Sequence, residues 1–352
     1  ISLGLSHFMN FREIKKNFKG KRILITGHTG FKGSYLTAFL DEFSCDILGI
    51  SKDKKKNFSE IKYSKKVKSK IFDMKNFTKV YKEVKNFKPE IIFHLAAQPI
   101  VFNALKFPSD TWNSNLYSTL NLFRSIENTS SVKCIVVITS DKVYQNLNNK
   151  KLMKEKDFLS GSETYSMSKV SVENFVKFFT KKNKKINVIT ARAGNIIGGG
   201  DWGEKRLIPD IIRSIQQKNH LKIRKPNFTR PWMHVLDCTS AYLLLAVRLY
   251  KKKIKSGTNW NVGPNARKHV SVNKILNEFN KEFPLKFKNK SSSFHEDKYL
   301  ALSTQKITKE TNWKTKLNFS ETVSLTIIWY FNFLYKKKNL TLKQVKDFLY
   351  EK

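Results

Sequence analysis

The sequence predicts an α/β fold, a doubly wound parallel sheet followed by a smaller C-terminal lobe. Two observations lead to this fold class. From Ile23 to Arg192, short apolar runs typical of buried strands alternate with segments that have helical spacing. After Arg192 this alternation gives way to a glycine-rich loop at 193–204. Because strand–helix–strand repeats form parallel sheets covered by helices on both faces, we expect a doubly wound sheet.

The first strand and helix enclose a glycine motif. An apolar run, Ile23 to Ile25, precedes a G-x-x-G-x-x-G spacing, and a helical segment at 35–43 follows. A helix N-terminus offers unpaired N–H groups to a diphosphate, and glycines let the diphosphate approach the backbone. This context predicts a Rossmann-type dinucleotide site. The residues expected to bind the dinucleotide are Gly27, Thr29, Gly30, Phe31, Lys32 and Gly33.

The next strands add further cofactor candidates at their ends. Asp53 follows the second strand, at 46–50, where an acidic residue would bind the ribose hydroxyls. Its lysine neighbours leave two alternatives open, an ordinary surface loop or an NADP site for a 2′-phosphate. Asp73 closes a weaker strand at 67–72, and the strand at 90–97 supplies the last two candidates, Ala96 and Gln98.

The candidate catalytic groups follow the fifth strand, at 133–140. This strand runs directly into Ser140, Asp141 and Lys142, at the sheet edge where such folds bind ligands. A predicted helix at 164–180 then begins with Tyr165 and Lys169, whose i,i+4 spacing places both side chains on one face. An ammonium group near a phenol favours the phenolate, which makes tyrosine a usable base.

A second Y-x-x-x-K pair, Tyr81 and Lys85, shows that the spacing alone is weak evidence in so lysine-rich a chain. That pair lies in an amphipathic segment before the fourth strand. Only the pair at 165 and 169 follows a strand with polar residues at its end. We therefore assign catalysis to Tyr165.

The domain boundaries follow the change in pattern after Arg192. We expect a dinucleotide-binding domain at 9–192 together with about 236–263, and a substrate-binding lobe at 193–235 and 264–352. Met9 is a plausible natural start, so we expect residues 1–8 to be a remnant that precedes the natural chain.

Composition limits the classes of partner. The net charge is +39, but only ten of the 67 basic residues are Arg and the lysines are spread over the whole chain. Because specific nucleic-acid contacts favour Arg and no groove-reading motif is present, we expect no nucleic-acid partner. Cys45, Cys134 and Cys238 match no metal spacing, so we expect no metal and a reducing, cytoplasmic location. The apolar stretch at 323–335 is too short to cross a membrane.

Several motifs together carry a family resemblance. They are T-G-H-T-G-F-K-G-S (26–34), H-L-A-A-Q-P-I-V (94–101), T-S-D-K-V-Y (139–144), Y-S-M-S-K (165–169), A-R-A-G-N-I-I-G-G-G-D-W (191–202) and R-P-W-M-H-V-L (230–236). With these blocks the chain resembles the extended short-chain dehydrogenase/reductase family, and within it the CDP-glucose 4,6-dehydratases. The resemblance implies the Rossmann-type fold, NAD as cofactor and CDP-glucose as substrate.

The resemblance also implies a mechanism, an internal redox cycle. Tyr165 would remove the 4-hydroxyl proton while NAD⁺ takes hydride from C4, with Lys169 on the nicotinamide ribose and Ser140 on O4. A base would then remove the C5 proton, the C6 hydroxyl would leave as water, and hydride would return to C6. Lys142 is the implied base and Asp141 the implied acid, although which group plays which role stays open.

The same resemblance suggests the substrate contacts and the assembly. Four residues would hold the nucleotide diphosphate and sugar, namely Asn195, Arg206, Arg230 and His234. The planar fork of Arg suits a diphosphate, but a surface ion pair is the alternative for Arg230. Relatives pair through two long helices, here around 109–127 and 164–180, so we expect a homodimer or a homotetramer.

Three other functions compete with dehydration. A nucleotide-sugar 4-epimerase would share Tyr165 and Lys169 but would need neither a C5 base nor a C6 acid, so Asp141 and Lys142 favour dehydration. A dehydratase that acts on another nucleotide sugar would look the same in sequence. A silent NAD-binding regulator would have no need to keep Ser140, Tyr165 and Lys169 together.

Overall fold

The computed structural model describes residues 10–146, 151–223, 225–264, 270–289, 299 and 301–350. The expected remnant at 1–8 lies outside these ranges. The helices are α1 (Phe11–Phe18), α2 (Phe31–Glu42), α3 (Lys56–Ser59), α4 (Phe77–Phe87), α5 (Val101–Lys106), α6 (Pro108–Trp112), α7 (Ser118–Ile126), α8 (Thr164–Lys182), α9 (Leu207–Gln216), α10 (Val235–Tyr250), α11 (Val272–Glu282), α12 (Gln305–Thr311), α13 (Phe319–Lys336) and α14 (Thr341–Tyr350).

The strands include several short ones outside the central sheet. They are β1 (Arg22–Thr26), β2 (Asp46–Ser51), β3 (Val67–Ile71), β4 (Ile91–His94), β5 (Cys134–Ser140), β6 (Asn187–Ala193), β7 (Ile196–Ile197), β8 (Leu221–Ile223), β9 (Thr229–Arg230), β10 (Met233–His234), β11 (Asn259–Val262), β12 (Val270–Ser271) and β13 (Phe287–Asn289).

The central sheet is parallel throughout and confirms the predicted fold class. Its seven strands run in the order β3-β2-β1-β4-β5-β6-β11. The order reverses between β1 and β4, because the chain first winds outward through β2 and β3 and then returns to the other side of β1. In doubly wound sheets a ligand binds at the carboxyl ends of the strands at this switch point.

Apolar side chains cover both faces of the sheet. On one face α2 and α10 pack with Tyr35, Phe39 and Trp260 in the largest buried cluster. On the other face α4, α7 and α8 bury a second cluster that includes Val80 and Val172. Since helices cover both faces, the carboxyl edge of the sheet is where ligands gain access.

The fourth strand is shorter than the predicted 90–97. It ends at His94, although the Leu95 N–H still donates to the Thr26 carbonyl at 3.0 Å. The helix predicted at 109–127 is present from Pro108 to Ile126, but a turn of π-helix at Asn113–Tyr117 interrupts it.

The glycine-rich loop at 193–204 has no apolar periodicity in the sequence, yet its residues make close contacts. Strand β7 pairs in parallel with β10. A Cβ on Gly199 would overlap the Trp329 ring, and a Cβ on Gly200 would lie 2.5 Å from the Asn57 side chain. Glycines permit this approach because they lack a Cβ, which leaves no apolar periodicity for a sequence pattern to reveal.

A third apolar cluster joins β8, α9, α11 and α13. The last helix, α14, packs against α2. Phe348 on α14 meets Phe39 on α2 edge to face at 6.0 Å, and the Tyr35 hydroxyl donates to Gln344 at 3.3 Å.

Helix α14 also contacts α13. The Trp329 indole donates to the Thr341 hydroxyl at 3.1 Å, and Gln344 donates to the Leu325 carbonyl at 2.8 Å. The predicted domain boundaries therefore stay a prediction.

The three cysteines are buried free thiols, as expected. Among the described residues, no helix has both the length and the apolar character needed to cross a membrane. The same described ranges contain no group of three or more His, Cys, Asp or Glu residues that could hold a metal ion.

Candidate active site

The glycine motif forms a tight turn between β1 and α2. Gly27 has a φ of +75°, and a Cβ there would lie 2.8 Å from the Ala96 nitrogen. A Cβ on Gly33 would overlap the Gly27 carbonyl oxygen. Gly30 precedes α2 in an extended conformation, so the amides of Phe31 and Lys32 open the first turn without a helical partner. This cradle of bare backbone fits the diphosphate of a dinucleotide.

His28 links this turn to β2 and β3, a role that the sequence did not predict. Its Nε2 hydrogen-bonds the Ser69 hydroxyl at 2.7 Å and its Nδ1 hydrogen-bonds the Ser51 hydroxyl at 2.9 Å. A Cβ on Gly49 would overlap the imidazole ring, so β2 needs a glycine here. Burial lowers the pKa of His28 to about 4 and keeps the ring neutral. The G-x-x-G spacing predicts a role for its glycines and none for the histidine between them.

The remaining predicted cofactor residues lie at the ends of neighbouring strands. The Thr29 hydroxyl donates to the Asp53 carbonyl at 2.7 Å, while the exposed Asp53 carboxylate pairs with Lys55 at 3.3 Å. Asp73 accepts the Lys75 N–H at 2.9 Å. Their roles toward a cofactor stay predictions.

Ala96 and Gln98 line the loop that follows β4. The Ala96 N–H donates to the Thr26 hydroxyl at 3.2 Å. The Gln98 side chain bridges its own loop, since its Nε2 donates to Thr111 at 3.0 Å and its Oε1 accepts the Ile100 N–H at 2.6 Å. Gln98 therefore shapes the loop that faces the glycine cradle.

Ser140, Asp141 and Lys142 form a sharp turn at the end of β5. The Ser140 hydroxyl donates to the Asp141 carboxylate at 3.0 Å and accepts the Lys142 N–H at 3.2 Å. Asp141 is buried against the backbone of Gly194, where a Cβ would overlap its carboxylate. The Asn195 amide lies 3.5 Å from the same carboxylate. Gly194 therefore gives Asp141 the space that it occupies, a function that its place in the motif did not indicate.

Tyr165 and Lys169 face the same edge from the first turns of α8. Burial raises the pKa of Tyr165 to about 12, and a hydrogen bond with Ser140 acts in the opposite direction. Burial, together with the charge of Lys32, lowers the pKa of Lys169 to about 7. The Lys169 ammonium donates to the Ile138 carbonyl on β5 at 3.3 Å. The structure thus places Ser140, Asp141, Tyr165 and Lys169 at one edge, as the sequence predicted.

The four predicted substrate residues occupy different surroundings. Asn195 adopts a φ of +54° beside Asp141, and Arg206 pairs with the buried Asp201 at 3.2 Å. Arg230 lies on β9, where it donates to the Thr229 carbonyl at 2.9 Å. His234 is wholly buried as the N-cap of α10, with its Nδ1 accepting the Leu236 N–H at 3.2 Å. Their contacts with a substrate stay predictions.

Lys32, at the start of α2, reaches toward this edge from the cofactor side. Its ammonium lies 3.4 Å from the Tyr242 hydroxyl on α10. Burial lowers the pKa of Lys32, and the charges of Cys238, Arg206 and Asp141 also act on it. A lysine of the glycine motif therefore contributes positive charge near the catalytic edge.

Together, the diphosphate cradle and the polar edge define the class of protein, a dinucleotide-dependent enzyme with serine, tyrosine and lysine at its active edge. The chain belongs to the NAD dependent epimerase/dehydratase family, which it matches over residues 23–263. NAD is accordingly its cofactor.

Two relatives are similar to this chain over nearly their full length. The chain is 34% identical to the CDP-glucose 4,6-dehydratase of Salmonella typhimurium, over 90% of this chain and 92% of that protein. It is 25% identical to the human dTDP-D-glucose 4,6-dehydratase, over 91% and 93% of the two chains.

Solved structures share the fold at lower identity. An epimerase from Methanothermobacter thermautotrophicus superposes with a TM-score of 0.83 at 21% identity, covering 94% of this chain and 99% of that one. The dTDP-glucose 4,6-dehydratase of Bacillus anthracis, in complex with NAD, gives a TM-score of 0.76 at 20% identity and covers 93% and 100%.

Proposed function

We propose that the protein is a hydro-lyase that converts CDP-glucose to CDP-4-keto-6-deoxyglucose. The observation that carries this proposal is the near full-length similarity to a CDP-glucose 4,6-dehydratase, at 34% identity against 25% for a dTDP-glucose enzyme. The turn that brings Asp141 and Lys142 to the catalytic edge supports it, because dehydration needs an acid and a base beyond the tyrosine.

The chain's own residues have distinct tasks in this reaction. Ser140, hydrogen-bonded to Asp141, orients the 4-hydroxyl, and Tyr165 accepts its proton. Lys169 lies one turn along the same helix and, in its protonated form, favours the phenolate. When bound, NAD supplies hydride acceptance at C4 and hydride return at C6.

Elimination of water requires two further proton transfers. The ketone at C4 acidifies the C5 proton, and Lys142 removes it. Asp141, held against Gly194 and beside Asn195, protonates the C6 hydroxyl as it leaves. The buried position of Asp141 limits competition from bulk water for this proton.

The substrate is bound by the lobe over the carboxyl edge. Arg206 and Arg230 contact the diphosphate, Asn195 contacts the sugar, and His234 keeps the start of α10 in place beside them. The division of the chain at 193–235 and 264–352 follows from this role, although α14 contacts both halves.

The assembly is a homodimer, or a tetramer built from such dimers. An open aromatic groove between α7 and α8 supports this, with Tyr117 50% exposed and Phe178 58% exposed. Exposed aromatic groups of this size are typical of interaction surfaces. The three buried free thiols suit the reducing cytoplasm, where the product would enter deoxysugar synthesis for surface polysaccharide.

The test is incubation with NAD⁺ and CDP-glucose, with dTDP-, GDP- and UDP-glucose in parallel. The alkaline absorbance of a 4-keto-6-deoxy sugar reports the product. We expect product from CDP-glucose, and its loss in Lys142→Ala and in Tyr165→Phe. Inversion at C4 without a keto product would instead indicate the epimerase.

A further inference from the structure

A buried ion pair lies directly behind the catalytic helix. Glu173 is on α8, one helical turn after Lys169, and its carboxylate pairs with Arg192 on β6 at 2.9 Å. Both side chains are only 1% exposed. Burying two charges costs as much as the pair regains, so stability alone is a poor explanation for the pair.

The Glu173 carboxylate collects hydrogen bonds from three strands. The Thr139 hydroxyl on β5 donates at 2.6 Å, and the Thr190 hydroxyl on β6 donates at 2.8 Å. Arg192 donates through Nε at 3.0 Å and through Nη2, and Asn259 on β11 donates through its amide. This one side chain therefore fixes α8 to β5, β6 and β11, and Thr139 immediately precedes Ser140.

The pair extends toward the catalytic turn through Tyr144. Arg192 donates to the Tyr144 hydroxyl at 2.7 Å, and that hydroxyl donates to Asn261 at 2.7 Å. Tyr144 directly follows the turn at Asp141–Val143. The strands, the catalytic helix and the acid–base turn thus share one continuous network of polar contacts.

Titratable side chains from several elements surround Lys169. Lys32 faces it from α2 and His94 from β4, while Tyr165 and Glu173 lie on its own helix. Lys32 opposes protonation of Lys169 and Glu173 favours it. His94 is neutral, because burial lowers its pKa to about 3. Glu173 is therefore the negative charge that offsets Lys32.

We propose that Glu173 is a positioning residue of this active site. Its carboxylate fixes the helix that carries Tyr165 and Lys169 to the strands that end at Ser140 and Ala193. It also places a negative charge one turn from the Lys169 ammonium. This inference rests on the proposed role of Lys169 at the cofactor.

The experiment follows NAD⁺ binding as a function of pH, with tryptophan fluorescence as the readout and no sugar nucleotide present. Glu173→Gln removes the negative charge and keeps the shape of the side chain. Lys169 should then lose its proton at a lower pH, so the alkaline midpoint of NAD⁺ binding should fall by about one pH unit. Tyr144→Phe breaks the link from Arg192 to Asn261 but leaves Glu173 charged. It should therefore keep the wild-type alkaline midpoint of NAD⁺ binding.

A double variant, Glu173→Gln with Arg192→Met, guards against misfolding because it removes both buried charges. We expect it to fold and to show the same lowered midpoint. A folded double variant with the wild-type midpoint would overturn the proposal, and so would its failure to fold, which would assign the pair to stability. A wild-type titration without any alkaline loss would contradict the role of Lys169. Because no sugar is present, failure of the substrate proposal would appear only in the product assay.

Discussion

The cofactor side and the sugar side of the active edge are built in different ways. Around the glycine turn, close contacts between backbone atoms fix the shape of the site, as between Gly33 and the Gly27 carbonyl. On the sugar side, position is set by polar side chains, as in the pairs of Asp141 with Ser140 and of Arg206 with Asp201. Backbone contacts tolerate no added atom, whereas side-chain pairs weaken by degrees. Substitutions that add an atom to a closely packed glycine should therefore have large effects, and those that remove one partner of a side-chain pair should have graded effects.

Gly33→Ala should have the largest effect. Its new Cβ overlaps the Gly27 carbonyl, so the turn must shift, at a cost of about 3 kcal/mol and with loss of NAD⁺ binding. Thermal unfolding and a cofactor titration measure both effects. Gly20→Ala is the control for backbone strain without a clash, because Gly20 has a positive φ of +72°, which Gly33 lacks, and no atom within 4 Å of the new Cβ. Equal NAD⁺ affinity in both variants would contradict the steric explanation.

Gly194→Ala should come next. Its Cβ overlaps the Asp141 carboxylate and displaces it, so kcat should fall by roughly 10²–10³-fold while NAD⁺ still binds. Gly263→Ala provides the comparison, since its Cβ would lie 3.7 Å from Thr304 in ordinary contact. Unchanged turnover in Gly194→Ala would exclude Asp141 from the chemistry.

Arg206→Ala should have a graded effect. Loss of one charged contact to a diphosphate should raise KM for the sugar nucleotide roughly 10- to 100-fold with a smaller change in kcat. Steady-state kinetics separate the two constants. Arg213→Ala, which removes a pair with Asp210 on the same helix, should leave KM within about twofold. A rise in KM for both variants would indicate a general loss of lobe structure.

Acid should destabilise the fold through three buried neutral histidines. Burial lowers the pKa of His28 to about 4 and those of His94 and His234 to about 3. The unfolded chain binds these three protons below about pH 6.5 and the folded chain does not. Between pH 6.5 and about 4, the free energy of unfolding should therefore fall by roughly 4 kcal/mol per pH unit from these groups.

Chemical denaturation at several pH values measures that slope. His94→Asn should reduce the slope by the equivalent of about one proton. Equal slopes in wild type and His94→Asn would contradict the assignment of His94 as a buried neutral group.

The difference between the two sides also explains what could be predicted from sequence. The sheet and the glycine turn follow local rules of strand, turn and helix, so β1 and α8 were predicted to within one or two residues at each end. The grouping of Ser140 with Tyr165 followed from both lying at the carboxyl edge. The space that Gly194 leaves for Asp141 could not be predicted, because it depends on contacts between residues far apart in the chain.

Local sequence patterns also failed to predict much of the C-terminal third. Helices α11, α12 and α14 lie in lysine-rich sequence where solvated charges obscure the apolar spacing, and we did not predict them. The Glu173–Arg192 pair also escaped notice, since a charged residue on a helix usually indicates a solvated face. Only the register of β6 beside α8 brings the two charges together.

The most direct test of the proposed dehydration is to follow a deuterium label in CDP-glucose that carries deuterium at C4. If the enzyme oxidises C4 and returns the same hydride to C6, the deuterium will appear at C6 of the 4-keto-6-deoxy product. Mass spectrometry and proton NMR of the product locate the label. Deuterium retained at C4 of an inverted sugar would contradict dehydration, and a keto product without deuterium would contradict the internal return of hydride.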